Sequence, residues 1–254
     1  MKALLCLLGL AALTPIHGGI ILGTNAIVNG DAESGVGSTD GSVVASIPGW
    51  STLNGNFTVV QYGAAGGFPL STDPGPADRG SNFFAGGPGT GLGSGDQFLD
   101  ASNLAAQIDA GSVSFVLSAY LGGYLTQDDY AQLVVYFRDG SDTILNPAGF
   151  VLNGPNAAGR GDATGLFFVS ANGAVPAGTR AIEFVLNARI VTGEYVDGYA
   201  DDLSFVANTA SAAPGAAPEP GTIGMIVIGG LAVAAGRRRA LREIWVRPRA
   251  GNRN

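Results

Sequence analysis

The 254-residue sequence predicts an all-β fold, an antiparallel two-sheet sandwich of the jelly-roll kind. Three observations predict it. Apolar and polar residues alternate with period two, as half-buried strands require. Gly, Pro, Asn and Asp separate the alternating segments. No amphipathic helical stretch of comparable length is present.

The clearest strands come in order along the middle of the chain. Val113, Phe115, Leu117 and Ala119 alternate with Ser112, Ser114, Val116 and Ser118. Ala131, Leu133, Val135 and Phe137 alternate with Gln132, Val134, Tyr136 and Arg138. Ile182, Phe184, Leu186, Ala188 and Ile190 alternate with Glu183, Val185, Asn187 and Arg189. Shorter candidates span 57–62, 166–170 and 203–206, for about eight strands in all, the number of a jelly roll. Residues 68–95 read as one long loop, and the glycines of 86–95 as flexible linker, because no Gly-Lys-Ser/Thr ending makes them a phosphate loop.

Charge is distributed unevenly. Between residues 27 and 208, Arg79, Arg138, Arg160, Arg180 and Arg189 face eighteen Asp and Glu; from Arg237 onward seven arginines face only Glu243. So acidic a domain lacks the basic footprint that a phosphate backbone needs, which argues against a nucleic-acid partner. The single cysteine, Cys6, and the single histidine, His17, both fall in the leader described next. A mature chain without them has no disulfide, no Cys/His zinc site and no Ser-His-Asp or Cys-His catalytic group.

The N-terminus, residues 1–26, reads as a secretory signal peptide: Lys2, an apolar run from Ala3 to Leu13, then Thr14-Pro15. Cleavage fits after Ala26 or earlier, near Gly18. The β-domain is expected over 27–208 and a small-residue linker over 209–217. Pro218-Glu219-Pro220 follows, then an uncharged run over 221–236, then Arg237-Arg238-Arg239 and a basic tail over 240–254. Sixteen helical residues rise about 24 Å, slightly less than a hydrocarbon core, and the arginines mark the cytoplasmic side.

This order of motif, apolar span and arginine cluster resembles the PEP-CTERM sorting signal of Gram-negative bacteria. The resemblance implies export through the inner membrane and transient anchoring by the C-terminal helix. Cleavage by an exosortase and release to the cell surface or extracellular space would follow. One departure is the continuation of the chain to Asn254, beyond the point where such signals usually stop; a permanent single-span anchor remains the alternative.

The domain opens with Asn29-Gly30-Asp31-Ala32-Glu33-Ser34-Gly35 and soon reaches Gly49-Trp50; it closes with Ala200-Asp201-Asp202-Leu203-Ser204. Those motifs are similar to galactose-binding-like jelly rolls, carbohydrate-binding modules among them. The resemblance implies a structural calcium at Glu33 and Asp202, with Asn29, Asp31 and Asp201 as further oxygen donors, the hard ligands that calcium takes. The alternative is that these acids cap turns.

Trp50, Tyr62, Tyr120, Tyr124 and Tyr195, with the aromatics of the long loop, are candidates to stack on sugar rings, or else to fill the core. Paired carboxylates are the one common hydrolytic plan left open, with Asp128, Asp129, Glu183, Glu194 and Asp197 as candidates. Arg160-Gly161-Asp162 reads as a chance tripeptide. Non-enzymatic interaction with exopolysaccharide leads the functional readings. Its rivals are a purely structural surface or biofilm protein and a carboxylate-dependent hydrolase.

Overall fold

The computed structural model describes residues 16–89 and 91–209. Residues 1–15, Pro218-Glu219-Pro220, the apolar span, Arg237, Arg238, Arg239 and the basic tail lie outside the described residues. Within them the strands are β1 Ile16–His17, β2 Ser51–Asn54, β3 Thr58–Gln61, β4 Asn82–Pro88, β5 Leu92–Asp100, β6 Val113–Gly123, β7 Tyr130–Arg138, β8 Phe150–Asn153, β9 Gly165–Ala174, β10 Ala181–Arg189 and β11 Tyr195–Thr209. One five-residue helix, α1 Ala105–Asp109, bridges β5 and β6 and buries Ile108. No helix among the described residues is long and apolar enough to cross a membrane.

The strands form two sheets. Sheet I runs β1-β5-β10-β7-β8, with β2 beside β1 on the same edge of β5; sheet II runs β3-β4-β11-β6-β9. Pairing is antiparallel except for the two-residue β1–β5 contact. From β4 onward the chain changes sheet at almost every connection, which makes the expected sandwich. The alternating residues face as period two demands: Leu117, Leu133, Val135, Phe184 and Leu186 are fully buried between the sheets. Phe115 and Phe205 stack at 4.9 Å in the middle of that layer, and Phe57 stacks on Phe84 at 5.7 Å nearer one end.

Two expectations are corrected. The stretch 86–95 is not a linker but the end of β4 and the start of β5. Its glycines are there for close approach rather than freedom. A Cβ at Gly93 would lie 2.0 Å from the Gly86 carbonyl oxygen, and one at Gly95 would lie 2.3 Å from the Phe57 ring. The folded unit also begins before residue 27. Ile20 is in the core, the Asn25 side chain bonds to both Leu203 O and Phe205 N of β11, and Gly23 N–H donates to Ala207 O. Of the two cleavage points, only the one near Gly18 leaves these contacts in place. Thr209, expected to open the linker, is the last residue of β11.

Arg160 fastens the loops at one end of the sandwich. It is 3% exposed and donates to the carbonyls of Tyr124, Leu125, Gln127, Asp129, Pro155 and Ala163. Its burial alone rules out the tripeptide as an adhesion motif. Each carbonyl stranded in a buried place costs about 1–3 kcal/mol. Arg160→Met is therefore expected to destabilise the domain by at least about 3 kcal/mol in urea melts. An exposed control such as Arg189→Met should leave the midpoint within about 0.5 kcal/mol of the parent.

Candidate functional site

Both sheets carry chemistry on the face turned away from the core. On sheet I the register lines up one polar residue from each of five neighbouring strands. Asn54 of β2 stands opposite Ser94 of β5, Ser94 opposite Asn187 of β10, Asn187 opposite Gln132 of β7, and Gln132 opposite Asn153 of β8. The ends of this row are tied together: Asn54 Nδ2 donates to Ser94 Oγ at 3.0 Å, and Gln132 Nε2 donates to Asn153 Oδ1. In the middle, the half-buried Asn187 amide has no hydrogen-bond partner among the described residues. Strands lie about 4.8 Å apart, so the row extends over about 19 Å. Tyr130 and Tyr136 of β7 and Phe98 of β5 emerge from the same face, each half-buried.

Glu183, a candidate hydrolytic acid, lies on this face too, but Arg138 Nη2 pairs with it at 2.7 Å. Burial, and then the charge of Glu183, raise the pKa of neighbouring Asp96. Asp129 is equally committed: fully buried, it accepts from the N–H groups of Val191, Thr192 and Asp197. Asp128 accepts from Ala157 N–H.

Sheet II bears a second aromatic cluster outside the sandwich core, built from Phe68, Phe83 and Tyr199 with Tyr62, Tyr120, Tyr124 and Tyr195 against it. Of the aromatics singled out from sequence, Trp50 and Phe84 belong to the core, where they meet edge-on at 5.4 Å. Tyr120 meets Phe168, which is 59% exposed, at 5.4 Å across the β6–β9 pair. Tyr62 sits under Arg79, 5.2 Å from the ring centre. Phe68, Tyr124 and Tyr195 line a cleft of about 360 Å³ with Asp40, Gly66, Gln127, Glu194 and Asp197. Two of the candidate acids, Glu194 and Asp197, thus converge there, joined by Asp40, which the sequence did not single out. Burial pushes the Asp197 carboxyl up to about 6, against the lowering by the Tyr199 hydroxyl that donates to its Oδ1.

The five expected calcium ligands gather at one end of the molecule, where the first residues of the domain meet β11. Asn29, Asp31 and Asp202 line a cleft of about 390 Å³ with Asn25 and Ser204. Several of their oxygens already have protein partners. Asn29 Oδ1 accepts from Ser34 N–H; Glu33 Oε1 accepts from Ser81 and Asn82 N–H at 2.8 and 2.7 Å. Asp201 is fully buried between the Tyr62 hydroxyl and Asp202 N–H. Burial above all pushes Asp201 up to about 8, with the charge of Asp202 adding to it. Asp202 rises to about 6, by burial and then by the charges of Asp78 and Asp31. Among the described residues no three acidic, histidine or cysteine side chains are arranged to hold a metal ion. The donor chemistry is all hard oxygen, which suits calcium.

No protein-family model matches the chain, and no curated protein matches its sequence. It is similar to several solved structures. One is Family 16 Carbohydrate Binding Module-2, 19% identical over 72% of this chain and 99% of that one, with a TM-score of 0.45. Another is a cyclase from Fischerella sp. TAU, 15% identical over 74% of this chain and 98% of that one, at 0.47. A third is the enzymatically active domain of tailspike protein 4 of bacteriophage CBA120, 17% identical over 73% of this chain, at 0.44; the chain spans only 21% of it. At such identities a likeness is one of general shape, and function is read from this chain's own residues.

The raised carboxyls fix a pH dependence. Asp197, Asp201 and Asp202 hold their protons to about 6, 8 and 6 when folded, against 3.8 ordinarily, so the folded state binds more protons than the unfolded one between about pH 4 and pH 8. Stability must then fall as pH rises through that window. In chelator-containing buffer the melting temperature is expected to drop by several degrees from pH 5 to pH 8, at roughly 2–4 °C per kcal/mol for a domain of this size. Asp201→Asn, which keeps a partner for Tyr62, should remove the largest part of that slope.

Proposed function

We propose that the chain is an exported, non-enzymatic surface protein that holds extracellular polysaccharide on the outer face of sheet I. The row Asn54–Ser94–Asn187–Gln132–Asn153 carries this reading. It offers amide groups along the outer face, the donors and acceptors that sugar hydroxyls pair with; the buried Ser94 holds Asn54 in the row, and Tyr130, Tyr136 and Phe98 flank it for ring stacking. The sequence features at the two ends support the rest: a leader, and the Pro218-Glu219-Pro220 motif with its apolar span and arginines, which fit export and exosortase processing to a cell-surface or biofilm location. The five-strand row weighs against the purely structural reading, which requires no ligand face.

Affinity electrophoresis of the full-length chain through gels containing neutral polysaccharides tests the proposal. Retardation by at least one polysaccharide is expected, and the double variant Asn187→Ala/Gln132→Ala should weaken it at least tenfold while melting normally. Unchanged mobility in every gel would remove the polysaccharide role. Intact mass of the native surface form tests the processing: a chain ending near Pro218 supports exosortase cleavage, and one retaining Asn254 overturns it.

A structural calcium belongs to the same proposal. Asp31 and Asp202 would hold it, with Asp78 next to Asp202, where burial and then the neighbouring charges already push a proton onto Asp202. Calcium is expected to raise the melting temperature at pH 8 more than at pH 5, since at pH 5 protons compete for the same oxygens. A melting temperature indifferent to calcium and chelator at both pH values would eliminate the site.

The convergence of Glu194 and Asp197 in one cleft favours a second reading, a carboxylate-dependent hydrolase. It requires release of new reducing ends from a polysaccharide, abolished by Asp197→Asn; binding without such release leaves the first reading in place.

A further inference from the structure

The cleft on sheet II offers hydrogen-bond acceptors without a matching cation. Its lining holds three carboxylates, those of Asp40, Glu194 and Asp197, and neither a lysine nor an arginine. The Glu194 carboxylate and the second oxygen of Asp197 accept no hydrogen bond among the described residues, whereas Asp40 Oδ1 takes the Ser38 hydroxyl and Ser42 N–H. A further acceptor points to a missing donor. The Oε1 atom of Gln127 is buried and has no hydrogen-bond partner, the one such side-chain atom among the described residues. A buried acceptor left in that state costs about 1–3 kcal/mol, and the half-buried Gln127 side chain that carries it is part of the lining of this cleft.

Aromatic surface completes the site. Phe68 and Tyr195 meet edge to face at 5.1 Å, and Tyr124 lies on the other side of the glycines that make room for it. A Cβ at Gly67 would stand 2.9 Å from the Tyr124 hydroxyl, and both Gly66 and Gly67 have φ values that side chains avoid, +120° and +89°. The frame is held in place beforehand. Tyr195 is anchored by its hydroxyl to Gly41 O at 3.0 Å, and the loop bearing Tyr124 and Gln127 hangs by its carbonyls on Arg160. Arg160 is occupied by those carbonyls and is not among the residues that line the cleft.

A ligand that suits this lining has donors only, a positive charge, and aliphatic C–H groups to lie against the rings. An ammonium group on a carbon frame has all three: three N–H donors, a charge for the carboxylates, and the attraction of a cation for ring faces. A bare divalent metal would use the carboxylates and waste the rings, and the acids are not arranged to hold one. A neutral sugar would leave the three charges uncompensated. The space, about 360 Å³, is at the small end of ligand sites and suits one or two sugar units.

We infer that this cleft binds a primary ammonium group carried on a sugar, so that the polysaccharide this protein engages bears free amino groups. The sugar half of this inference rests on the polysaccharide reading above; the ammonium half rests on the cleft alone. Calorimetry with the full-length chain separates them, using a short glucosamine oligosaccharide, its fully N-acetylated counterpart and a sugar-free alkyl diamine. The glucosamine oligosaccharide is expected to bind at least tenfold more tightly than the acetylated form, and to weaken as salt is raised. The double variant Glu194→Gln/Asp197→Asn should lose at least tenfold toward it, while Asn187→Ala/Gln132→Ala on the opposite sheet should retain the preference for the free amine.

Gln127→Leu supplies an independent readout. It removes the orphan acceptor, so it should weaken amine binding yet leave the fold as stable as before, or more so. Equal binding of the free and acetylated oligosaccharides overturns the inference, as does a preference that survives Glu194→Gln/Asp197→Asn. A diamine that binds as tightly as the amino sugar overturns the sugar half and keeps the ammonium half. Retardation of neutral polysaccharide that persists while no amine binds overturns this inference and leaves the role of sheet I standing.

Discussion

The central strand of sheet II bears most of the weight of this molecule. β11 runs for fifteen residues between β4 and β6, and its register shifts twice, between Val196 and Tyr199 on one side and between Asp201 and Ser204 on the other. Between and beyond those shifts it delivers Leu203, Phe205 and Ala207 to the core, Tyr199 to the outer aromatic cluster, and three carboxyls to buried or half-buried places. A regular strand has only two faces for its side chains. The irregularities turn Asp197 toward the cleft near the start of the strand, and leave Asp202, at its middle, with a φ of +48° beside Asp31. Beyond its pairing with β4, the same strand is held over residues 203–207 by the N-terminal residues, through Gly23, Asn25, Ala26 and Gly30.

Placing acids on the central strand of a sheet has a thermodynamic consequence. Asp197 and Asp201 are shielded from water, and neither has a cationic partner. Arginine instead goes elsewhere: Arg138 to Glu183, Arg180 to Asp109, Arg160 to backbone carbonyls. A carboxyl buried without a cation keeps its proton or acquires a partner from outside. Near the start of β11 and again at its middle, an incoming positive charge would therefore be worth more than on the surface, and keeping these carboxyls costs the domain some stability at neutral pH.

Much of the fold was legible in the sequence, and the reason lies in the side chains. β6, β7 and β10 announce themselves because large apolar residues recur at every second position, and the structure buries those residues. β4 and β5 were hidden because their inward positions include Gly86, Gly93 and Gly95, which leave no hydrophobic signal; only the packing against Phe57 and the facing strand explains them. The first residues of the folded unit were hidden for a different reason. Ile20 and Asn25 look like any apolar or cleavage-site residues until their partners are known, Asn103 for Ile20 and, 180 positions away on β11, Phe205 for Asn25. Functional residues followed the same rule. Glu194, Asp197, Tyr124 and Tyr195 were visible as residue types, but their meeting in one cleft depends on loop paths. Gln132 and Asn187 were visible as the polar positions of their strands, yet a row across five strands is a property of register, which no single segment encodes.

The geometry of that row also sets what kind of grip it can exert. Its groups repeat at the strand spacing and differ little in chemistry from one step to the next. A polymer of identical units lying along it meets nearly the same contacts after sliding by one unit. Binding of this kind has no preferred phase: the chain can creep through without letting go, and ends are not needed for entry. The cleft on the opposite sheet is a single walled pocket and has no such freedom. On the proposed polysaccharide reading, one face would serve as a rail and the other as a peg, and a protein with both would travel along a strand of matrix yet stop where a suitable unit occurs.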